Sequence, residues 1–508
     1  MRTNSIYSEI EKNCLPKIIW SKQEYAGQVG KRTDYKTYTL NKKIMSCVIL
    51  WFKNDLRLHD NESLQKAIAS GKAILPVYCF DPRHYRQLDL GFPKADAVRL
   101  EFTKQCVTDL RKNIQKIGGD LLIATGNSDK IISNLVKDYD CDEIFAEQEF
   151  ATEELGLISE LRKLLPVNCE LNMTWGRTLY HIADIPYKIP DIPLTSKAYR
   201  INTQKNSEIR RTYDSPKKIE ILNVPASQWG ELPKSSDLGL SEEKNYSLTY
   251  MEGGESKALE RLNHYLFESE QLTSYRWTRN RSLGLGYSSK LSPYLALGCL
   301  SPRTIYEAVR EYEKTIKKNQ STWWIIFEVV WRDYFTFKLM RFQNQIYHTE
   351  GYSNKTKDFE NNKDLFQRWC EGRTGIPFVD AHMRQLNETG FMSNRGRVNC
   401  SSFLVYDYLI DWTWGAAYFE SKLIDYDVAS NWMNWHTQAY QIWYTNPVNQ
   451  ANKYKAQEFI RKWVPEIKHL SDRDILVPWE SDVVEYPKPA AIFKKWYRAI
   501  NKIKKELE

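Results

Sequence analysis

The sequence predicts an N-terminal α/β domain, built on a doubly wound parallel sheet, followed by a large all-α domain. Three observations predict this arrangement. Short apolar segments alternate with helical segments over residues 46–175, which is typical of parallel strands joined by helices. Apolar residues recur at helical spacing from residue 251 onward. A chain of 508 residues is also longer than a single hydrophobic core usually serves.

The first domain contains four candidate strands. They are CVILWF (47–52), AILPVYCF (73–80), DLLIATG (120–126) and DEIFAEQ (142–148). Residues 95–117 and 127–138 carry a helical pattern between them. Helices that connect parallel strands cover both faces of the sheet, so we expect a doubly wound domain.

The other segments differ in composition. Residues 1–45 are polar and lack steady periodicity, and residues 176–250 contain six prolines, so we interpret them as an extension and a surface connector. The predicted divisions are an extension (1–45), an α/β domain (46–175), a connector (176–250), a helical domain (251–490) and a basic C-terminal tail (491–508).

The composition narrows the class of protein. Hydrophobic residues make up 42% and charged residues 27%, which is typical of a globular protein and excludes collagen-like and disordered chains. No stretch approaches the roughly 18 apolar residues of a membrane span, and the first 30 residues lack the apolar centre of a signal peptide. We expect a cytoplasmic protein with no membrane partner, and organelle targeting by residues 1–45 stays open.

The nine cysteines include no CxxC motif and no cysteine–histidine cluster. Zinc, a locally bound iron–sulfur cluster and a disulfide framework are therefore not predicted. We expect no metal site, and we interpret the cysteines as buried thiols.

The net charge of +8 is concentrated at the two ends of the chain. Residues 1–45 carry nine Lys and Arg against four Asp and Glu, and residues 488–508 carry seven against two, which leaves −2 for the body. Nucleic-acid binding would therefore need a local basic patch.

Thirteen of the 17 tryptophans lie at or after Trp277. Most are expected in the core, although a planar aromatic ligand or a redox role is worth testing.

Two loops bear on cofactor binding. Residues 53–61, after the first strand, contain no glycine, which argues against a dinucleotide fingerprint or a P-loop and hence against an ordinary NAD enzyme or ATPase. The YSSKLSP loop (287–293) offers the hydroxyls of Ser288, Ser289 and Ser292, with Pro293 at the first position of a helix that Ser292 can cap. Such a helix start favours a diphosphate, and a plain helix cap is the alternative.

Two further constellations could carry chemistry. One lies in the segments that contain Asn394, Arg397, Asp425, Asp427 and Asn431, for which the alternative is a structural ion pair. The other is Glu328 and Trp331, which lie three residues apart on one helix face. The alternative is that Glu328 is a solvated residue at the edge of this helix and that Trp331 packs in the core.

Several motifs together resemble the photolyase/cryptochrome family. They are WFKNDLRLHDNESL (51–64), YSSKLSPYLALGCLSPR (287–303), EVVWRDYF (328–335), GRTGIPFVDAHMRQLNETGFMSNRGRVNCSSFL (372–404) and DWTWGAAYFESKLIDYDVASNWMNW (411–435). GRTLYHIADIP (176–186) and FMSNRGR are similar to the DASH branch. The resemblance covers about residues 46–490, in family order.

The resemblance implies a bound FAD. The predicted contacts are Tyr275, Ser288, Ser289, Lys290, Leu291, Ser292, Asn394, Arg397, Asp425, Asp427 and Asn431. Arg397 and Asp425 are expected to pair beside the isoalloxazine ring, with Asp427 as its hydrogen-bond partner. Asn431 is expected to face N5, where a neutral amide suits a reduced, anionic flavin.

The resemblance also implies a DNA substrate and an antenna. Trp331 is expected to stack on a flipped pyrimidine dimer, while Glu328 hydrogen-bonds a base. The expected basic rim for a single strand consists of Arg279, Arg281, Arg332 and Arg395. Gln148 and Glu149 match the contacts of a folate antenna, 5,10-methenyltetrahydrofolate.

Electron transfer to the flavin is expected to use a chain of tryptophans. Trp435 and Trp412 match its first two positions, but the outermost position falls on Phe359. Phenylalanine is much harder to oxidise than tryptophan, so photoreduction should be slow unless Trp369 or Trp414 takes over.

The sequence departs from the family pattern around the substrate. Thr437 stands where an aromatic ring is usual, Val398 replaces a glutamine, and the segment between Asn434 and Asn446 is short. The sequence thus predicts a monomeric, blue-light-absorbing flavoprotein that binds single-stranded or locally unpaired DNA and repairs cyclobutane pyrimidine dimers. The alternatives are a signalling photoreceptor with little or no repair and a light-independent flavoprotein that binds DNA or RNA.

Overall fold

The computed structural model describes residues 47–241, 251–441, 444–481 and 485–506. The predicted extension, residues 1–45, lies outside the described residues. The N-terminal domain holds one parallel sheet in the order β3-β2-β1-β4-β5. Its strands are β1 (Cys47–Phe52), β2 (Ala73–Phe80), β3 (Leu122–Thr125), β4 (Cys141–Glu147) and β5 (Glu170–Thr174). The predicted fold class, a parallel α/β domain followed by a helical domain, is confirmed.

Helices cover both faces of this sheet. They are α1 (Glu62–Ala69), α2 (Ala97–Lys116), α3 (Ser128–Asp138) and α4 (Thr152–Leu164). Every residue of β1 is buried, and its side chains alternate between two cores. The sequence did not predict β5, because this edge strand is half-exposed and forms no apolar run.

The connector contains a helix that the sequence did not predict, α5 (Ser196–Asn206). Its residues are mostly polar, and only Tyr199 and Thr203 are buried. Two buried residues four apart give too weak a periodic signal to indicate a helix.

The C-terminal part of the described chain is helical. Its helices are α6 (Glu255–Asn263), α7 (Tyr275–Thr278), α8 (Ser292–Ala296), α9 (Pro302–Thr315), α10 (Gln320–Phe342), α11 (Lys363–Cys370), α12 (Pro377–Thr389), α13 (Asn394–Tyr406), α14 (Trp412–Lys422), α15 (Val428–Tyr440), α16 (Pro447–Lys453), α17 (Gln457–Trp463) and α18 (Tyr497–Glu506). None of the helices in the described ranges has the length and apolar character that a membrane crossing needs.

One pair of cysteines differs from the prediction. Cys47 and Cys141 form a disulfide between the neighbouring strands β1 and β4, so the interpretation of these two as thiols was wrong. The partners lie 94 residues apart, and a pairing created by strand register leaves no local spacing signal.

The glycine-free loop after β1 joins the two domains. The Leu56 amide donates to the Leu297 carbonyl at 3.1 Å, and the Arg57 guanidinium donates to the Gly298 carbonyl at 2.9 Å. Gly298 has a φ of +66°, and a Cβ there would lie 1.9 Å from the Asn54 carbonyl oxygen. Only glycine allows this approach. The loop therefore serves domain docking.

Candidate cofactor and substrate site

The YSSKLSP loop is held by an arginine from α6. Arg261 donates from Nε to the Ser289 carbonyl at 2.9 Å and from Nη2 to the Ser288 carbonyl at 3.1 Å. Leu291 is the buried N-cap of α8, so Ser292 begins that helix and does not cap it as predicted. Tyr275 is buried and lies edge-on to Tyr265, with ring centroids 6.4 Å apart.

Lys290 places a buried amino group in the interior of this loop. Its backbone adopts φ +60°, and its Nζ lies 3.4 Å from the Tyr287 ring centroid and 4.3 Å from that of Phe391. Burial lowers the pKa of Lys290 well below its usual range, and the Arg261 and Arg397 guanidinium groups lower it further. Lys290 therefore lies close to two arginines, and an anion such as the diphosphate of FAD would favour its charged form.

Arg397 and Asp425 form a close ion pair. Arg397 Nη2 lies 2.7 Å and 2.9 Å from the two Asp425 carboxylate oxygens, and Arg397 Nε donates to the Met392 carbonyl. Both side chains line a cavity together with Asn394, Asp427 and Asn431, whereas Tyr275 and the predicted contacts at 288–292 do not line it. The lining residues are Asn394, Arg397, Val398, Ser401, Phe419, Leu423, Asp425, Tyr426, Asp427, Ser430, Asn431, Asn434, Trp435 and Gln438.

Asp427 is bound by two arginines. Arg177 Nη2 donates to its Oδ2 at 2.6 Å, Arg332 approaches the same oxygen at 3.5 Å, and Oδ1 accepts the Ser430 amide at the start of α15. Burial alone would raise the pKa of Asp427, but Arg177 and Arg332 lower it below its ordinary value. Asp427 is therefore held as a carboxylate.

This arrangement corrects one prediction and adds a residue. Arg332 was expected in the exposed basic rim, but its guanidinium is nearly buried and donates to the Arg177 and Leu295 carbonyls. It cannot also hold a DNA phosphate there. Sequence reasoning missed Arg177, whose only signal was its place in the GRTLYH motif.

One face of α15 presents three side chains to the cavity. Asn431 donates from Nδ2 to the Ala416 carbonyl at 2.9 Å, which fixes the orientation of its amide. Trp435 and Gln438 follow four and seven residues later, on the same face. Both polar atoms of the Gln438 side chain are buried without a hydrogen-bond partner among the described residues. A ring with polar edges would suit this face, and helical spacing from Asn431 could have identified Gln438.

The contacts between the tryptophans differ from those that the expected chain implies. The ring centroids of Trp435 and Trp369 lie 6.1 Å apart. Phe366 then contacts Trp369 at 5.9 Å and Trp414 at 5.3 Å. Trp412 instead contacts Trp432 and His436, and in the described ranges no aromatic ring pairs with Phe359. The structure thus places Trp369 directly against the first tryptophan.

Glu328 and Trp331 lie on the partly open face of α10. Glu328 Oε1 accepts hydrogen bonds from Arg279 Nη1 and from Trp324 Nε1, both at 2.9 Å. Trp331 packs against Phe327 and edge-on against Phe335, with centroids 5.5 Å and 5.8 Å away. The carboxylate is held in place, while the indole remains partly accessible.

The other predicted basic residues lie near this face. Arg279 also lies 4.5 Å from the centroid of Trp324. Arg281 is exposed, whereas Arg395 is half-buried, donates to Asn280 Oδ1 and lies against Tyr454. Arg279, Arg281 and Arg395 are therefore the members of the expected rim that retain partly or fully exposed side chains.

A second cavity lies between the α/β domain and the helical domain. Glu149 lines it, whereas Gln148 does not and donates instead to the Glu149 carbonyl. Sequence reasoning missed Lys94, a buried lining residue that pairs with Glu153 and, at 3.5 Å, with Glu420. In the described part of the chain, no group of three or more His, Cys, Asp or Glu side chains could hold a metal ion.

Comparisons with known proteins show which families this chain is similar to. A family model described as DNA photolyase matches residues 48–218, and one described as the FAD binding domain of DNA photolyase matches residues 324–506. The chain is 38% identical over 490 residues to cryptochrome DASH of Synechocystis sp., covering 91% of this chain and 98% of that protein.

A plant relative and a solved structure are also similar over most of their length. Arabidopsis thaliana "Cryptochrome DASH, chloroplastic/mitochondrial" is 38% identical, with 85% of this chain and 78% of that protein covered. The crystal structure of Synechocystis sp. PCC6803 cryptochrome aligns with a TM-score of 0.84 at 38% identity, covering 92% of this chain and all of that one.

Proposed function

Because the chain belongs to the photolyase/cryptochrome family and to its cryptochrome DASH branch, we propose that it binds single-stranded DNA and repairs cyclobutane pyrimidine dimers under blue light. The observation that carries the proposal is the α10 face, where Glu328 and Trp331 are held beside Arg279. A flipped base needs an aromatic surface and a hydrogen-bonding group of this kind. In single strands no base pair has to be broken before the dimer enters.

The chain's residues would hold FAD in named places. The carbonyls of Ser288 and Ser289 are fixed by Arg261, so Arg261 and Lys290 would lie beside the diphosphate, while Arg397 pairs with Asp425 beside the ring. Asp427 and Asn431 offer a carboxylate and an oriented amide to the ring. When bound, FAD supplies absorption of blue light and donation of one electron to the dimer.

The protein's own groups then act on the substrate. Arg279 and Trp324 hold the Glu328 carboxyl group by two hydrogen bonds, so it can receive a base in a fixed orientation. Trp331 would exclude water from one face of the dimer by stacking. We assign the folate antenna to the cavity that Glu149 and Lys94 line, where a carboxylate can accept paired hydrogen bonds from a pterin.

The decisive experiment is a repair assay. The purified flavoprotein is mixed with a single-stranded oligonucleotide that carries one thymine dimer, and restored thymines are counted under blue light and in the dark. We expect light-dependent restoration. Trp331→Ala should weaken binding of this oligonucleotide by about 1–3 kcal/mol while the flavin absorbance persists, because one base–aromatic stack is lost. Loss of the fold in this variant would favour a core role for Trp331.

A second candidate is a signalling photoreceptor with little or no repair activity. Thr437 supports it, because this position offers no aromatic ring to the substrate wall and the segment after it is short. A wild-type flavoprotein that binds the dimer oligonucleotide but restores no thymine under light would favour this candidate.

A further inference from the structure

We propose that an exposed aromatic surface beside the dimer site binds the undamaged bases of the same DNA strand. It consists of Trp277, Trp323 and Phe327 with the guanidinium groups of Arg200 and Arg276, and it is called the aromatic platform below. The inference rests on the proposed binding of single-stranded DNA and adds a second contact region to it.

The platform is continuous with the proposed dimer site. Trp323, Phe327 and Trp331 follow one another at intervals of four residues on α10 and so share one face. The rings of Trp323 and Phe327 are stacked at 5.1 Å, and Phe327 lies 5.5 Å from Trp331. A strand that places its dimer at Trp331 can therefore reach Trp323 along the same helix.

The outer rings of the platform are unusually exposed. Trp277 is 72% exposed and Trp323 is 42% exposed, although tryptophan is usually well covered. Trp277 is held in position by its neighbour, since the Arg276 amide donates to Ser321 Oγ at 3.1 Å and so ties α7 to the first turn of α10. Exposed, positioned indoles offer flat faces to planar ligands.

Two arginines lie near these rings. The Arg276 guanidinium carbon is 4.8 Å from the Trp277 centroid and 5.8 Å from that of Trp324. Arg200, from α5, is 5.7 Å from Trp323 and 5.5 Å from Phe327. In the described part of the chain neither arginine forms a salt bridge, and Arg200 donates only to the neutral Gln204.

This combination selects the class of ligand. Unpaired cations interleaved with open aromatic faces complement a chain of phosphates and unstacked bases. A DNA duplex hides its base faces, so a single strand fits better. An apolar protein partner would leave both guanidinium charges uncompensated in the interface.

The test compares undamaged homothymidine strands of about 5 and about 16 nucleotides, which bracket the usual length of such sites. The variants are Trp277→Ala and Trp323→Ala, with Tyr497→Ala as a control because Tyr497 is a similarly exposed aromatic residue on α18. We expect each platform variant to weaken binding of the long strand at least about fivefold, which equals one stack of about 1 kcal/mol. The short strand and the control should keep the wild-type affinity.

Three outcomes would overturn the inference. Unchanged affinity for the long strand would show that the rings do not bind bases, and an equal loss for both strands would assign them to the dimer site. An equal loss in Tyr497→Ala would show a general surface effect. Arg276→Gln, which keeps all rings, should reduce the dependence of long-strand affinity on salt.

The repair assay and the binding assay distinguish failure of the proposed function from failure of this inference. If the wild-type protein repairs no dimer but Trp277→Ala weakens binding of the long strand, the repair proposal is wrong and the platform is supported. If the wild-type protein repairs the dimer and both variants bind the long strand as the wild type does, the repair proposal is supported and the platform is wrong. The flavin absorbance and circular dichroism of each variant report its folding.

Discussion

At the scale of single residues, the candidate flavin site is a set of charges that compensate one another. Arg397 faces Asp425, and Arg177 with Arg332 faces Asp427. Each carboxylate is nearly buried, and each would be costly without its cation. We therefore expect the removal of one member to destabilise this part of the fold and to weaken binding of the cofactor.

Arg397→Ala should lose most of the bound FAD, because it leaves Asp425 buried without its cation, at a cost of several kcal/mol. The measurement is the ratio of flavin to protein absorbance after purification. Arg373→Ala is the matched control, since Arg373 pairs with Glu371 on the surface. Full flavin occupancy in Arg397→Ala would mean that this ion pair is not part of the flavin site.

Photoreduction tests whether aromatic residues carry electrons to the flavin. Trp369→Phe should slow light-driven flavin reduction in the presence of an external reductant, because Trp369 contacts Trp435 while Phe359 interrupts the expected chain. Trp435→Phe should abolish nearly all of it. Phe359→Trp should accelerate it if the expected chain through Trp412 is also usable. Fast reduction that survives the loss of Trp435 would contradict both routes.

At the scale of elements, α10 joins the functional parts of the molecule. Its outer face carries Glu328 and Trp331, and its inner face carries Asp333, whose two carboxylate oxygens accept the amides of Leu179 and Tyr180 at 2.9 Å. The helix thereby fixes the segment that contributes Arg177. One helix orients the proposed substrate contacts and also supports a flavin-site arginine.

Asp333 makes the stability of the folded protein depend on pH. Burial raises the pKa of Asp333 to about 7, although the Tyr180 and Leu179 amides and Arg332 oppose this. The folded state then binds a proton more tightly than the unfolded state, so the contribution to stability is complete below about pH 4 and is lost as the pH rises through 7. The slope is at most about 1.4 kcal/mol per pH unit.

Asp333→Asn should therefore lose less stability than the wild type between pH 5 and 8, because asparagine does not titrate. Urea unfolding at several pH values measures the difference. Asp364→Asn, at an exposed position of α11, should follow the wild-type pH profile. Parallel profiles for wild type and Asp333→Asn would show that Asp333 keeps an ordinary pKa.

The sequence predicts elements better than contacts between them. Buried strands such as β1 have unbroken apolar runs, while β5 and α5 are too exposed to give a periodic signal. Motifs placed Arg397 and Asp425 near each other, but they could not show that Arg332 turns inward to Asp427 or that Trp369 meets Trp435. Those contacts depend on how helices pack, which no local spacing records.

At the scale of the whole molecule, buried polar contacts join the two domains. Arg303 of α9 donates to both carboxylate oxygens of Asp60, at 2.6 Å and 2.9 Å, and Ser301 also contacts this carboxylate. His59 and Glu255 form another such contact at 2.6 Å. A junction made of such polar and charged contacts is specific in geometry and sensitive to the loss of one partner.

Arg303→Ala should destabilise the protein by about 3–5 kcal/mol, because Asp60 would remain buried without its cation. Urea unfolding followed by tryptophan fluorescence measures this. Lys314→Ala on the same helix is the control, since Lys314 forms an exposed pair with Glu311 and should change stability by at most about 1 kcal/mol. Similar losses in both variants would contradict a dominant role for the buried pair.

The Arg177–Asp427 contact bears on whether the chain can be divided into modules. Arg177 follows the sheet in sequence, yet its guanidinium lies within the helical half at 2.6 Å from Asp427. A fragment that begins at residue 251 would lack this cation and retain a buried carboxylate at the flavin cavity. The α/β half therefore cannot be exchanged as an independent module, and a chimera that takes it from a relative must preserve this arginine as well as the cavity lined by Glu149 and Lys94.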